Sequence, residues 1–365
     1  MIESHQKAVK IRRRNTLALL AGLAACGLLP TRTVQAQPAR MGQDFFSEQL
    51  QNNLQFGWLG RADVQEFITR ASQQHGLPRA WLEAQFEGLG AQPRALALAN
   101  PPPPKPDEPP RKRSWAKYRA LHVNDAQITQ GREFLSEHQS VFRSVQRRFG
   151  VPAEVIAGII GVETKFGRFT GRFPTLETLA TLAFESPRRA EFFRKELEQL
   201  LIMGHQGLVS VRQVQGSFAG ALGLPQFMPS SWRNFAVAYR NASHADLLNS
   251  PEDAIASVGN FLKLHGWQRN APSHVPAIVA DAALAQQFIP KKLAPAHTVG
   301  QLESAGIQQA QPRLPADLQA SLIDLPEDDE SPGYWFAANN FFVITHYNRS
   351  YMYAAAVLSL AEALA

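Results

Sequence analysis

The chain has 365 residues, enough for two or three domains, and its apolar share of 45% and charged share of 19% are those of an ordinary globular protein. Its net charge of +6 is concentrated at the start: residues 1–36 hold six basic residues and one acidic, and taking these from totals of 37 and 31 leaves 31 basic and 30 acidic, a net +1. That balance excludes a global case for nucleic-acid binding, and a single cysteine excludes an intrachain disulfide.

The first segment, residues 1–36, reads as an export leader. A basic stretch ends in Arg12-Arg13-Arg14 and an apolar run follows from Leu17 to Leu29, too short to span a membrane comfortably. The adjacent arginines also fit a twin-arginine route. Two exits compete. Leu23-Ala24-Ala25-Cys26 resembles a lipobox, in which Cys26 would be lipidated and become the first mature residue; Val34-Gln35-Ala36 instead offers a small-residue cleavage site. Either places the mature protein outside the cytoplasm. No later segment has eighteen consecutive apolar residues.

Residues 40–140 read as an accessory helical region. Val64, Phe67 and Ile68, then Trp81, Leu82 and Phe86, recur at helical spacing, with a stop and restart at His75-Gly76-Leu77-Pro78. The stretch 100–110 is too rich in proline for helix or central strand and reads as an extended connector. Helical patterning resumes from Trp115 to Phe149.

A central unit is expected over 141–270. Pro152 suits a first helical turn, Val155, Ile156, Ile159 and Ile160 form one apolar face, and Gly167 supplies a stop. Glu163 lies in line with that face near the helix C-terminus. Desolvation and the helix dipole should both disfavour its charged form, the environment of a general acid held protonated near neutral pH. Pairing with Lys165 or Arg168, or simple solvation, is the competing reading. Further helices are expected at Thr175–Ala183, Glu191–Met203 and Pro251–His265. Between them, Gly216 to Ser231 contains Gly216, Gly220 and Gly223 and then two prolines, a tight path that is no helix interior. It offers Ser217, Gln226 and backbone groups beside Phe218, Phe227 and Trp232, a mixture suited to a sugar, although a packed turn would look the same. Residues 271–330 read as a small mixed subdomain ending in the acidic loop Glu327–Glu330, and 331–365 return to a dense apolar pattern with a final helix.

Several of these stretches, in this order, resemble the membrane-bound lytic murein transglycosylase B family. They are Gly161-Val-Glu163-Thr with Gly167-Arg168, Pro187-Arg188-Arg189-Ala-Glu-Phe-Phe, Gly216-Ser217-Phe-Ala-Gly-Ala-Leu-Gly-Leu-Pro-Gln226-Phe-Met-Pro-Ser-Ser, and Asn339-Asn340-Phe-Phe-Val-Ile-Thr-His-Tyr347-Asn348-Arg-Ser. The resemblance covers roughly 44–365. It implies a mostly α (α+β) protein with a lysozyme-like core and accessory α and small β parts. It also implies cleavage of the β-1,4 bond between N-acetylmuramic acid and N-acetylglucosamine in peptidoglycan glycan strands, with formation of a 1,6-anhydro sugar, in the periplasm, either soluble or anchored to the outer membrane through Cys26. By position, Glu163 matches the single acid/base, Ser217 and Gln226 match glycan contacts, and Arg188 and Arg189 match a pair facing stem-peptide carboxylates. Tyr118, Asn340 and Tyr347 match other cleft positions. A lysozyme-type hydrolase and a non-catalytic peptidoglycan-binding protein are the alternatives. No cofactor is implied. The family often carries a calcium loop, but its first three ligand positions here are Ala238, Arg240 and Ala242, which offer no oxygen-donating side chain, so no metal site is expected.

Overall fold

The computed structural model describes residues 37–365 except 56, 103–112, 241 and 328–331; the leader with Cys26, most of the proline-rich connector and the tip of the acidic loop lie outside the described residues. Four helices come first, α1 (Gln37–Asn53), α2 (Ala62–His75), α3 (Arg79–Phe86) and α4 (Pro93–Ala99). The stop after His75 is Gly76 in the left-handed conformation, φ 67°, with its N–H on Ser72 O. The helical pattern from Trp115 resolves into three pieces, α5 (Trp115–His122), α6 (Asp125–Glu137) and α7 (Gln139–Phe149). Ser114 and Asn124 cap the first two, which is why one periodic stretch makes separate helices.

The centre of the molecule is α8 (Ala153–Thr164), buried continuously from Val155 to Thr164. The sequence pattern marked one apolar face; the helix is in fact covered all round, as a helix this apolar must be. It is followed by β1 (Phe173–Pro174), α9 (Thr175–Glu185), α10 (Ala190–His205), β2 (Gln215–Gly216), α11 (Pro229–Phe235) and α12 (Pro251–Leu264). The remaining elements are β3 (His274–Ile278), α13 (Ala282–Gln286), β4 (His297–Thr298), α14 (Val299–Ser304), β5 (Gln308–Gln309), β6 (Gln319–Leu325), β7 (Gly333–Ala338), α15 (Asn339–Ile344) and α16 (Tyr351–Leu364). The fold is mostly α with a small β part, the class expected.

α16 packs lengthwise on α8. Gly158 permits that approach: a Cβ there would sit 2.7 Å from Val357 O. The packing does not break at 140, where an accessory region was expected to end. α6 packs on α8 and α5 on α16, while α4 packs on α9, so one apolar core runs from Leu50 to Leu364.

Strands β3 to β7 form one antiparallel sheet in the order β4-β6-β7-β3-β5. Alternation explains its two-sided burial. Ile323, Leu325 and Ala337 face the main core, whereas Ala320, Leu322, Tyr334 and Phe336 join Val275, Val299 and Leu302 in a second apolar cluster. The sheet therefore extends through Ala338, beyond the expected subdomain limit at 330, because β7 pairs with both β3 and β6.

Candidate active site

Glu163 is the penultimate residue of α8 and only 8% exposed. Its Oε1 accepts the hydroxyl of Tyr353, from α16, at 2.6 Å. Burial pushes its pKa from 4.5 to about 8, and the phenol's hydrogen bond pulls the other way but is outweighed. The carboxyl is thus protonated at neutral pH, the direction its position on an apolar helix foretold.

Tyrosines surround it. Tyr347 stacks on Tyr353 at 6.3 Å between ring centroids and 14° between planes, and its hydroxyl donates to Pro225 O. Tyr118, on α5, has its phenol pushed up to about 12 by burial and by the charge Glu163 would carry. The same causes hold Tyr347 and Tyr353 well above 10. All three phenols therefore stay neutral. His122, whose ring lies 5.0 Å from Tyr118, is held at about 4 by burial and by Lys165, so it too is neutral. No carboxylate raises or lowers the Glu163 proton affinity, and none bonds to it, among the described residues. Glu177 accepts from Gln92 Nε2, and Glu185 pairs with Arg61 and Asn53; these carboxylates tie α9 to the first helices.

The chain leaves α8 at Lys165, two residues before the expected glycine stop. Lys165, Phe166 and Gly167 all adopt positive φ, 49°, 57° and 88°. Two anchors hold this costly turn. Phe166 is inserted so closely between α6 and α8 that a Cβ on Gly131 or Gly161 would lie 2.8 or 2.6 Å from its ring tip. Thr164 Oγ1 donates to Leu224 O at 3.0 Å and accepts Gly167 N–H at 3.0 Å. The loop that follows is clasped to the glycine-rich segment: Phe173 pairs with Gly216, and Gln226 Nε2 donates to Thr170 O at 3.0 Å. At Gly171, φ 99°, a Cβ would fall 2.0 Å from Gly216 O, so only glycine fits the crossing.

Internal bonding leaves Ser217 and Gln226 with opposite capacities. Ser217 Oγ accepts the N–H groups of Ala219 (3.3 Å) and Ala221 (3.0 Å), which leaves its hydroxyl proton for donation. Gln226 Nε2 gives its hydrogens to Thr170 O and Gly223 O, which leaves Oε1 as an acceptor. The two half-exposed side chains thus present a donor and an acceptor on the segment that Tyr347 and Thr164 join to the Glu163 neighbourhood.

Of the other sequence-derived site residues, Arg188 is exposed and Arg189 half-buried at the start of α10, with the Arg189 guanidinium 4.5 Å from the Phe192 ring centre. Asn340 requires a correction. It is fully buried, donates to Gln268 O (2.8 Å) and Ala271 O (2.9 Å), and accepts Gln268 N–H (2.9 Å). A side chain so enclosed pins α15 to the segment after α12 and does not line a cleft. Tyr353, by contrast, was missed. Its signal was a phenol on a helix rich in Ala, Leu and Val, where a buried hydroxyl must find a partner.

The loop where the family's calcium would sit is closed by protein groups. Asp253 accepts the N–H of Tyr239 and of Asp246, both at 2.8 Å, and Arg240 pairs with Glu252 at 2.6 Å. With its inward carboxylate already committed to amides, and a guanidinium at one expected ligand position, the donor set does not fit a hard cation. Among the described residues no group of three His, Cys, Asp or Glu is arranged to hold a metal.

The sequence profile of the family described as "Transglycosylase SLT domain" matches residues 60–362. The chain is 35% identical to membrane-bound lytic murein transglycosylase B of Escherichia coli (strain K12) over 98% of both chains. It superposes on the catenated lytic transglycosylase SltB1 of Pseudomonas aeruginosa with a TM-score of 0.76 and 35% identity, covering 83% of this chain and 97% of that one. It superposes on SltB3 of Pseudomonas aeruginosa in complex with NAG-anhNAM-pentapeptide with a TM-score of 0.71 and 28% identity, covering 82% and 78%.

Proposed function

This chain belongs to the transglycosylase SLT family, and from that premise we propose that Glu163 is the sole acid/base of a peptidoglycan lytic transglycosylase. The enzyme cleaves the β-1,4 bond between N-acetylmuramic acid and N-acetylglucosamine and closes a 1,6-anhydro ring on the muramoyl product. The observation that carries the assignment of Glu163 is a buried carboxyl, protonated at neutral pH, among neutral phenols and, among the described residues, with no second carboxylate acting on it.

Glu163 gives its proton to the glycosidic oxygen as the bond to the muramoyl anomeric carbon breaks. Positive charge develops on that carbon, where the sugar's own N-acetyl carbonyl stabilises it. Glu163, now an anion held by the Tyr353 hydroxyl, takes the proton of the 6-hydroxyl as that oxygen attacks, which restores the acid for the next cycle. The low polarity that raises its pKa favours both halves: it makes the acid ready to donate and the anion eager to recover a proton. Ser217 as donor and Gln226 as acceptor suit the carbonyl and N–H of acetamido groups and the sugar hydroxyls. Arg188 and Arg189, where α10 begins, supply cations for stem-peptide carboxylates.

The setting is extracytoplasmic. Among the described residues no helix is long and apolar enough to cross a membrane, so attachment would be through a lipid on Cys26, or absent if cleavage follows Ala36. Mass spectrometry of products from purified sacculi tests the assignment. Anhydro-muropeptides are expected from the parent, and a loss of at least about 100-fold from Glu163→Gln. Hydrated reducing ends alone would identify a hydrolase, and unimpaired release by Glu163→Gln would remove Glu163 from the chemistry.

A further inference from the structure

A cavity of about 250 Å³ lies at the opposite end of α8 from Glu163. Gln146, Gly150 and Pro152 line one side, and Trp267, Arg269 and Asn270 the other. From Pro152 to Glu163 the helix rises roughly 16 Å, so this hollow is not part of the cleft. Its floor is ordered: Trp267 is 5% exposed and donates its indole N–H to Gly150 O at 3.1 Å. Its rim carries two exposed amides, Gln146 and Asn270.

One arginine, Arg269, lines the cavity, and α7, which supplies Gln146 to it, carries three more. Arg143, Arg147 and Arg148 are exposed on the last turns of α7. Arg269 donates to Gln146 O at 3.3 Å and to Arg147 O at 2.7 Å, which fixes its guanidinium across the end of that helix. Among the described residues none of the four forms an ion pair with a carboxylate; Arg143 reaches only Gln139, and Arg148 lies 4.9 Å from the Phe149 ring centre. Basic residues near a helix C-terminus are favoured by its dipole, which accounts for Arg147 and Arg148. Arg269, which donates to carbonyls of the same terminus, shares that explanation; Arg143, a like charge four residues from Arg147, does not. After the leader the chain is almost neutral, so three exposed arginines on the last turns of α7 are not a share of a general excess.

We propose that this cavity, with Arg269 in its lining and the exposed arginines of α7 on the helix that supplies Gln146, forms an anchoring site for the free carboxylates of peptidoglycan peptide stems, separate from the cleft that cleaves the glycan. The proposal rests on the peptidoglycan reading of the substrate. A guanidinium fork binds a carboxylate, the rim amides suit a peptide backbone, and the volume holds the end of a peptide. A bounded hollow fits a discrete group better than a lipid surface. Stems repeat along every strand, so a second grip would hold the enzyme on an insoluble wall between cleavages.

The test uses the mature chain carrying Glu163→Gln, which leaves sacculi intact, with and without the pair Arg147→Glu and Arg148→Glu. Arg269 is left in place because its bonds are structural. Co-sedimentation with sacculi at 50 mM salt is expected to weaken about tenfold in the double variant, with a smaller difference at 200 mM. On glycan stripped of peptides, binding should be equal, and in the Glu163 parent the double variant should turn over soluble stripped glycan at the parent rate. Unchanged sedimentation with sacculi overturns the proposal, as does a loss that persists on stripped glycan. Loss of binding to anionic phospholipid vesicles, with sacculus binding intact, overturns it in favour of a membrane contact. Absence of anhydro products from the parent would instead count against the proposed reaction and leave the binding comparison standing.

Discussion

Glu163→Gln should make the protein more stable in alkaline solution even as it removes activity. Folding moves this carboxyl from 4.5 to about 8. Below pH 4.5 both folded and unfolded chains hold the proton. Between 4.5 and about 8 the unfolded chain ionises while the folded one stays protonated, so stability falls as pH rises through this window. The accumulated cost is about 3 kcal/mol at pH 7 and about 5 kcal/mol above pH 8, of order-of-magnitude accuracy. Glutamine removes the titration but keeps the shape and an oxygen for Tyr353. It also buries an amide with no acceptor in evidence, at a cost of about 1–3 kcal/mol. The two curves should therefore cross, with the variant the weaker at pH 4 and the stronger at pH 8.5. Urea unfolding of both proteins from pH 4 to 9 measures the difference, in which the other titrating groups cancel. A difference that stays constant with pH would refute the claim that Glu163 is protonated in the folded protein.

Four further outcomes are expected. Tyr353→Phe removes the bond that lowers the Glu163 pKa, so the alkaline limb of kcat/KM, set near 8 in the parent, should move upward; an unmoved limb would separate Tyr353 from the acid. Gly171→Ala drives a methyl into Gly216 O at positive φ and should cost about 3 kcal/mol or more in thermal unfolding, together with activity. Asn340→Ala strips three buried hydrogen bonds and should cost about 2–4 kcal/mol while leaving KM for soluble glycan unchanged; a raised KM in a stable protein would return Asn340 to the cleft. Calcium at 1 mM, or a chelator, should move the melting temperature by less than about 1 °C, whereas several degrees would show a cation in the loop closed by Asp253.

Much of the helical order was legible because punctuation and period agreed, as at His75-Gly76 and at Pro251, where α12 begins. The acid was legible for a similar reason, since a carboxylate in register with Ile159 and Ile160 has few places to go but inward. The exit from α8 was not. Its left-handed turn is held by Phe166 packed against Gly161 of the same helix and the distant Gly131 of α6, and tertiary packing of that kind overrides the usual preference for glycine at a helix stop. Nor could motif matching distinguish Asn340, whose bonds go to backbone far away in sequence, from a residue that meets substrate. Tyr353 was hidden because its partner lies 190 positions earlier, and no local pattern joins them.

The passage of α16 across α8 through the notch at Gly158 also decides what the acid is made of. Part of the apolar wall that keeps Glu163 protonated, and the phenol that holds it, come from residues 351–364. Without that contact the carboxyl would lose its only side-chain hydrogen bond among the described residues and part of the cover that disfavours its charge. The acid is thus a product of the docking of two segments 190 positions apart in the chain, and not of α8 alone.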